Sequence, residues 1–182
     1  MRELERDDKL TDIANSAESK VDLMKNAMFY DRILDYTSLE KAIRRGSIIN
    51  GHKIVFIDHI GLIRGNKTIE NRNNWVGFLT SSLKTLAKEL GIAIVILSQL
   101  NRKVEMRNDE PELSDLRDSG SIEQDADIVY MLHREKDMEN HYKDNELDIL
   151  IRKNRNGELA KIKMNSDMQR MRITEFIPNS RK

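Results

Sequence analysis

Three runs of consecutive apolar residues constrain the fold most strongly. Residues Ile54–Ile57, Ile92–Leu97 and Ile128–Leu132 are rich in Ile and Val and lack the polar alternation of a half-exposed strand. Such runs are typical of strands that are covered on both faces, as in the parallel sheets of α/β proteins. We therefore expect three buried strands at the centre of the fold.

A long amphipathic segment separates the first two runs. Its apolar residues recur at helical spacing: Trp75, Leu79, Leu83, Leu86 and Leu90. Gly91 follows directly and suits the left-handed position that ends many helices. A strand, a helix and a second strand in this order predict two parallel strands joined by a helical crossover.

The C-terminal third has the pattern of antiparallel strands. Leu147, Ile149 and Ile151 alternate with other residues, and Asn156-Gly157 is a strong hairpin signal. Residues 159–164 are expected to form the return strand, and residues 171–176 to add one more. The predicted class is α/β, with a sheet that is parallel in its middle and antiparallel at its edge.

The N-terminal part contains weaker signals. Helical spacing of apolar residues predicts a helix from about Thr11 to Ala27, and Met28–Tyr30 is a candidate strand. The sequence Thr37-Ser38-Leu39-Glu40 has the form of a capping box, in which the Thr hydroxyl and the Glu carboxylate bond backbone amides. A short helix is expected to follow it and to end near Gly46.

Composition excludes several classes of protein. Charged residues make up 34% of the 182 residues and hydrophobic residues 38%, with a formal net charge of zero, so no strongly basic nucleic-acid coat is present. The absence of cysteine excludes disulfides and thiolate zinc sites. It fits a cytoplasmic protein, as does a charged N-terminus without the apolar core of a signal peptide. We expect one domain over residues 11–177, between a frayed stretch at 1–10 and a tail at 178–182.

Polar residues follow the first two apolar runs. Asp58 comes directly after Ile57, and Gln99 follows the second run after Ser98. Ligands of α/β sheets collect at the carboxyl ends of parallel strands. Asp58 could hold a hydrated Mg²⁺ against a nucleotide phosphate, and Gln99 could sense that phosphate. Each has an alternative interpretation: Asp58 as the cap of a turn, and Gln99 as an ordinary polar residue at a strand end.

Two further segments carry candidate binding residues. In the loop from Asp115 to Asp127, Arg117 supplies charge, and Gly120 lets backbone amides approach a phosphate closely. An ordinary solvated loop that leads into a short helix is the alternative. At the predicted hairpin tip, Lys153 and Arg155 crowd with Arg152 and could neutralise a phosphate on a neighbouring subunit. A charged edge strand that prevents aggregation is the alternative there.

The order and the amino-acid sequences of these segments resemble those of the DnaB-type replicative DNA helicases. The resemblance runs from about residue 28 to residue 176. It is strongest at three segments: Ser98-Gln99-Leu100-Asn101-Arg102, Asp115 through Asp127, and Lys153-Asn154-Arg155-Asn156-Gly157. The helix segment Leu83–Leu90 is also similar to its family counterpart. The resemblance implies a partial RecA-like ATPase core, with a mostly parallel sheet flanked by helices and a C-terminal antiparallel hairpin.

The resemblance also implies roles for individual residues. Asp58 is similar to the Walker B aspartate that supports Mg²⁺, and Gln99 to the glutamine that couples nucleotide state to the DNA loops. Arg117, Asp118 and Gly120 match the loop that grips single-stranded DNA. Arg155 matches the arginine finger and Lys153 its companion lysine, which both act on ATP held by a neighbouring subunit of a ring of six. His59 and Asp118 depart mildly from the usual family residues, Tyr and Glu.

One family element is missing from this sequence. A P-loop requires Gly-x-x-x-x-Gly-Lys-[Ser/Thr] between a strand and a helix. The segment Gly46–Ile54 has the glycine spacing, but His52 displaces the lysine and Ile54 replaces the hydroxyl. It also precedes a predicted strand, so we interpret it as a loop. The P-loop lysine and the catalytic glutamate that follows it in the family are therefore absent.

The leading functional hypothesis is part of an ATP-dependent replicative helicase motor that translocates on single-stranded DNA and unwinds duplex DNA. Its expected cofactors are ATP and Mg²⁺, which the isolated chain should bind poorly. Its expected partners are single-stranded DNA and either a homohexameric ring or a complementing chain that carries the P-loop, with no membrane. The alternative is a catalytically inactive module that binds DNA or regulates a helicase ring. The sequence from Asp115 to Asp127 resembles the helicases and so disfavours a recombinase-like ATPase.

Overall fold

The computed structural model describes residues 26–32, 35–64, 71–101, 104, 107, 109–116, 119–136 and 145–176. The chain divides into two units, Met1–Ile33 and Leu34–Lys182. In the first unit, Met28, Phe29 and Tyr30 are exposed and belong to no strand, so the strand predicted there is wrong. Three apolar residues give a strand only when a neighbour pairs with them. The predicted helix over 11–27 falls almost entirely outside the described residues.

The first helix of the second unit is α1, Tyr36–Ile48. Its N-cap is Asp35, whose carboxylate accepts hydrogen bonds from the Ser38 amide at 3.0 Å and the Ser38 hydroxyl at 2.9 Å. The capping box predicted at Thr37 to Glu40 is therefore wrong, because the helix begins one residue before Thr37. An aspartate three residues before a serine satisfies the same free amides. The predicted end near Gly46 is two residues short.

Two parallel strands form the first sheet. β1, Ile54–Ile57, pairs with β2, Ala93–Ile96, so that Ile54 lies opposite Ala93 and Ile57 lies opposite Ile96. The predicted crossover helix is confirmed as α2, Arg72–Leu90. Asn71 caps its first turn through a 2.8 Å bond to the Asn73 amide. Gly91 ends it with a φ of 61°, the left-handed region that glycine enters at little cost.

Only one face of this sheet is well covered. α2 buries three leucines almost completely, Leu79, Leu83 and Leu86, and lies against β2. On the strands, burial alternates, and Ile54 and Phe56 remain 56% and 70% exposed. The expectation that these runs are covered on both faces is therefore wrong for the described residues. Their second apolar face is open to solvent.

A four-stranded antiparallel sheet forms the rest of the unit. Its strands follow one another in chain order: β3 (Ile128–His133), β4 (Glu146–Asn154), β5 (Ala160–Asp167) and β6 (Arg172–Glu175). The predicted hairpin around Asn156-Gly157 is confirmed as the β4–β5 turn, and the additional strand as β6. β3 pairs antiparallel with β4 and, within the described residues, is not hydrogen-bonded to β2.

A second cluster of buried side chains links this sheet to the preceding segment. Leu116, Val129, Met131 and Leu150 form its centre. Partly buried residues pack against it, including Ile122 of the short helix α3, Ser119–Asp125. A turn of 3-10 helix, Leu113–Asp115, leads into the cluster. None of the helices in the described part of the chain is long and apolar enough to cross a membrane.

Candidate nucleotide and nucleic-acid site

The carboxyl ends of β1 and β2 stay paired beyond the strands. The Leu97 amide donates to the Ile57 carbonyl at 2.9 Å, and the Ile60 amide donates to the Leu97 carbonyl at 3.1 Å. Asp58, directly after β1, and Gln99, three residues after β2, are therefore held at the same edge of the sheet. Both side chains are exposed, so each can meet a ligand without first leaving a buried contact.

A shallow pocket lies at this edge. Its lining residues come from the ends of both strands and from two helices: His59, Ile60, Gly61, Arg72, Val76, Ser98, Gln99 and Ile122. A Cβ at Gly61 would lie 2.9 Å from Nε2 of His59, so a larger residue there would displace the imidazole. The structure thus places Gln99 in the lining of this pocket, beside His59. Asp58 is outside the lining, on the exposed side of the edge.

The segment that contains Gln99 is hydrogen-bonded to the base of the candidate DNA loop. Leu100 forms an antiparallel bridge with Leu116, and the Asn101 amide donates to the Asp115 carbonyl at 2.8 Å. A displacement of Gln99 therefore has a direct backbone route to the residues that begin the loop. The loop's own Arg117 and Asp118 lie outside the described residues. Gly120, the second residue of α3, is exposed and has open space around it.

Asp115 anchors the base of this loop. Both of its carboxylate oxygens accept a hydrogen bond from Nη2 of Arg107, each at 2.5 Å, and Oδ2 also accepts from the Glu112 amide at 2.8 Å. The residue is buried, so these donors replace hydrogen bonds that its carboxylate would otherwise make to water. Sequence reasoning did not single out Asp115 or Arg107. The spacing of Glu112 and Asp115, which together cap the 3-10 turn, was the available signal.

The end of α3 accepts hydrogen bonds from both cations that were predicted at the hairpin, Lys153 and Arg155. The Lys153 ammonium donates to the carbonyl of Glu123 and, at 3.4 Å, to that of Gln124. Nη2 of Arg155 donates to the Gln124 carbonyl at 3.3 Å, and the Arg155 amide donates to the Asp127 carbonyl at 2.9 Å. The structure therefore brings the two cations together at the C-terminal end of α3.

A carboxylate that sequence reasoning did not single out joins these cations. Oδ1 of Asp127 lies 3.5 Å from Nη1 of Arg155, and Oδ2 accepts a hydrogen bond from Lys84 of α2. The hydrogen bond from Lys84, followed by the charges of Lys84 and Arg155, lowers the pKa of Asp127 below its usual value. Lys84 and Asp127 are 43 residues apart, so no local pattern could have revealed the contact.

The segment from Gly46 to Ile54 is not a phosphate cradle. Gly46 belongs to α1, Gly51 has a φ of 71°, and β1 begins at Ile54. The His52 amide donates to the Gly46 carbonyl at 3.0 Å, which folds the segment back on the end of α1. It leads from a helix into a strand, the reverse of the P-loop order. The interpretation of this segment as a loop is confirmed for residues 49–53, whereas its first three residues belong to α1.

Comparison with protein families identifies this combination of elements. The model of the DnaB-like helicase C-terminal domain matches residues 2–175. The chain belongs to this family. The replicative DNA helicase DnaB of Leifsonia xyli subsp. xyli is 44% identical over 133 residues, which are 70% of this chain and 28% of that protein. The same helicase of Rickettsia typhi is 41% identical over 155 residues, 75% of this chain and 31% of that protein.

Solved structures support the fold. A DnaB-like replicative helicase superposes with a TM-score of 0.73 at 31% identity, covering 81% of this chain and 36% of that one. A solved ATPase domain superposes with a TM-score of 0.72, also at 31% identity, covering 79% of this chain and 52% of that domain. The predicted RecA-like α/β class is thereby confirmed. The chain spans less than a third of the length of the two curated helicases and about half of the solved ATPase domain.

Proposed function

We propose that the chain is part of an ATP-dependent replicative DNA helicase motor, which translocates on single-stranded DNA and unwinds duplex DNA. The observation that carries this proposal is the backbone connection between the Gln99 segment and the base of the DNA loop, through the Leu100–Leu116 bridge and the 2.8 Å bond from Asn101 to Asp115. A motor must convert a change at a phosphate into a movement at DNA, and this connection provides a short route.

The nucleotide side of the motor would use Asp58 and Gln99. Asp58 is an exposed carboxylate at the carboxyl edge of two parallel strands, which fits a hydrated Mg²⁺ bound through water better than a closed protein cage. When bound with ATP, Mg²⁺ neutralises charge on the phosphate oxygens during transfer. Gln99 carries no charge and can bond a terminal phosphate or the attacking water. With no P-loop lysine in the sequence, we expect this chain by itself to bind ATP poorly.

A further segment should complete the nucleotide site. The open face of the parallel pair carries exposed Ile54, Phe56 and Val95. Large contiguous apolar surfaces usually mark an interface. Since about half of the solved ATPase domain has no counterpart in this chain, we propose that a strand and helix carrying the P-loop cover this face.

The DNA side would use the loop that begins at Asp115. Arg117, Asp118 and Gly120 are proposed to grip the backbone of single-stranded DNA, with Arg117 supplying charge and Gly120 allowing a close approach of the backbone. Relatives of this chain are named replicative helicases, which supports DNA as the substrate. We propose a ring of six subunits in the cytoplasm as the working assembly.

Lys153 and Arg155 are proposed to act on ATP held by a neighbouring subunit. Lys153 is the second-last residue of β4, and Arg155 begins the turn that follows this strand, with its side chain half exposed. A guanidinium at such a position can stabilise the charge that develops on a transferred phosphoryl group. The chain would therefore supply Asp58 and Gln99 to its own nucleotide site and Arg155 to the nucleotide site of the neighbouring subunit.

Reconstitution with a polypeptide that carries the P-loop strand and helix tests the proposal. We expect the mixture to hydrolyse ATP and to be stimulated by single-stranded DNA, whereas neither component does so alone. Gln99→Ala should abolish the stimulation by DNA, and the matched change Gln169→Ala, at an exposed turn of the antiparallel sheet, should not. DNA binding without any turnover in the mixture would contradict the motor and favour the regulatory module.

A further inference from the structure

The two candidate trans-acting cations are docked on their own chain. Lys153 donates a hydrogen bond to the carbonyl of Glu123, and Nη2 of Arg155 donates one to the carbonyl of Gln124 at 3.3 Å. These carbonyls belong to the last turn of α3, where backbone oxygens have no partner within the helix. The negative end of the helix dipole lies there as well, so cations are stabilised at this point.

The helix on which they dock begins at the candidate DNA loop. α3 consists of only seven residues, Ser119–Asp125, and is therefore about 10 Å long at 1.5 Å per residue. Its first residue, Ser119, directly follows Arg117 and Asp118 in the sequence. Its last turn accepts the hydrogen bonds from Lys153 and Arg155. One short helix therefore connects the candidate DNA loop to the place where Lys153 and Arg155 dock.

Asp127 fixes Arg155 relative to this helix. It accepts the Arg155 amide through its carbonyl at 2.9 Å and faces the guanidinium with its carboxylate at 3.5 Å. Lys84 of α2 holds the other carboxylate oxygen. One turn earlier on α2, the Thr80 hydroxyl donates to Asp125 at 2.5 Å. Two side chains of α2, four residues apart, thus anchor the turn between α3 and β3.

We propose that Asp127 is a positioning residue for Arg155, which holds the finger against the end of α3 so that DNA bound at the loop sets the finger's position. The proposal deepens the proposed function and rests on it. Asp127 itself contacts neither nucleotide nor DNA. Its removal should therefore lower the stimulation of ATP turnover by DNA, without changing the affinity for DNA or the KM for ATP.

The first test uses the chain by itself. The guanidinium Nη–H signals of Arg155 are assigned with an Arg155→Lys variant, and their exchange with water is measured in the native chain and in Asp127→Asn. We expect exchange about two- to fivefold faster in the variant, the range that exposed ion pairs allow. Asp167→Asn is the matched control, because Asp167 forms a local 2.6 Å pair with Arg170 in the same sheet. An unchanged Arg155 signal in Asp127→Asn overturns the proposal.

The second test uses the chain assembled with the P-loop polypeptide. We expect Asp127→Asn to reduce the turnover stimulated by DNA about two- to fivefold, with KM for ATP and DNA affinity as in the native chain, and Asp127→Glu to restore part of it. Equal stimulation in Asp127→Asn and in the native chain overturns the positioning role. If the native chain gives no turnover, the proposed function fails first, and the positioning role is overturned with it.

Discussion

Gly77 lies on the face of α2 that contacts α3, and its substitution should separate the two helices. A Cβ at position 77 would lie 2.7 Å from Oγ of Ser121 and 3.3 Å from its Cβ. The first distance is shorter than a carbon–oxygen contact allows, so Ser121 or the helix must move. Overpacking of this kind costs about 1–3 kcal/mol, and the higher helix propensity of alanine returns about 1 kcal/mol. We expect Gly77→Ala to lower the free energy of unfolding by about 0–2 kcal/mol.

A double-mutant cycle isolates the contact. Ser121→Ala removes the oxygen that would clash, so Gly77→Ala should cost about 1–2 kcal/mol less in that background than in the native chain. The free energies of unfolding are measured by urea titration, and Ser81→Ala, at an exposed position of α2, calibrates the local helix propensity. If Gly77→Ala stabilises both backgrounds by the same amount, α3 does not pack closely at Gly77, and the reasoning is refuted.

Two further predictions concern charged residues outside the nucleotide edge. Asp115→Asn removes the buried charge that pairs with Arg107, so the free energy of unfolding should fall by about 1–3 kcal/mol. The affinity for single-stranded DNA should fall with it. An unchanged urea midpoint together with an unchanged affinity would contradict the anchoring role of Asp115. Hydrogen bonds from Lys161 at 2.7 Å, then from Arg152 at 2.5 Å, lower the pKa of Glu110 below 4.5. Because the folded pKa of Glu110 is depressed, the stabilisation from these two ion pairs is present above pH 4.5 and is lost as the pH falls through the folded pKa. Glu110→Gln should therefore flatten the decline in melting temperature below pH 4.5, whereas Glu158→Gln, in the β4–β5 turn, should retain it.

Local patterns predicted the elements whose signals are complete within a few residues. The apolar stripe of α2 and the glycine at its end needed no distant partner, and neither did the Asn156-Gly157 turn. The cap of α1 was missed, since both Asp35 and Thr37 have a suitable oxygen, and the choice depends on which reaches a free amide. Asp35 reaches that of Ser38 at 3.0 Å.

Contacts between distant segments could not be predicted in the same way. Apolar runs indicate that a strand can be buried on both faces, but the cover must come from another segment, and β1 and β3 each keep one exposed face here. Asp58 and Gln99 were expected at one edge because parallel strands end together. Asp127 was not singled out, because its partners Lys84 and Arg155 are 43 and 28 residues away in sequence.

The most direct test of the account is whether Arg155 acts on a neighbouring nucleotide site. DnaB-type helicase subunits that keep their P-loop, but whose own finger arginine is replaced by alanine, are mixed with this chain, and ATP turnover is measured with single-stranded DNA. An arginine finger contributes about 10³-fold or more to turnover, so the chain should restore a large part of the lost activity. Its Arg155→Ala variant should restore none. Equal activity with the native chain and with Arg155→Ala would contradict the account.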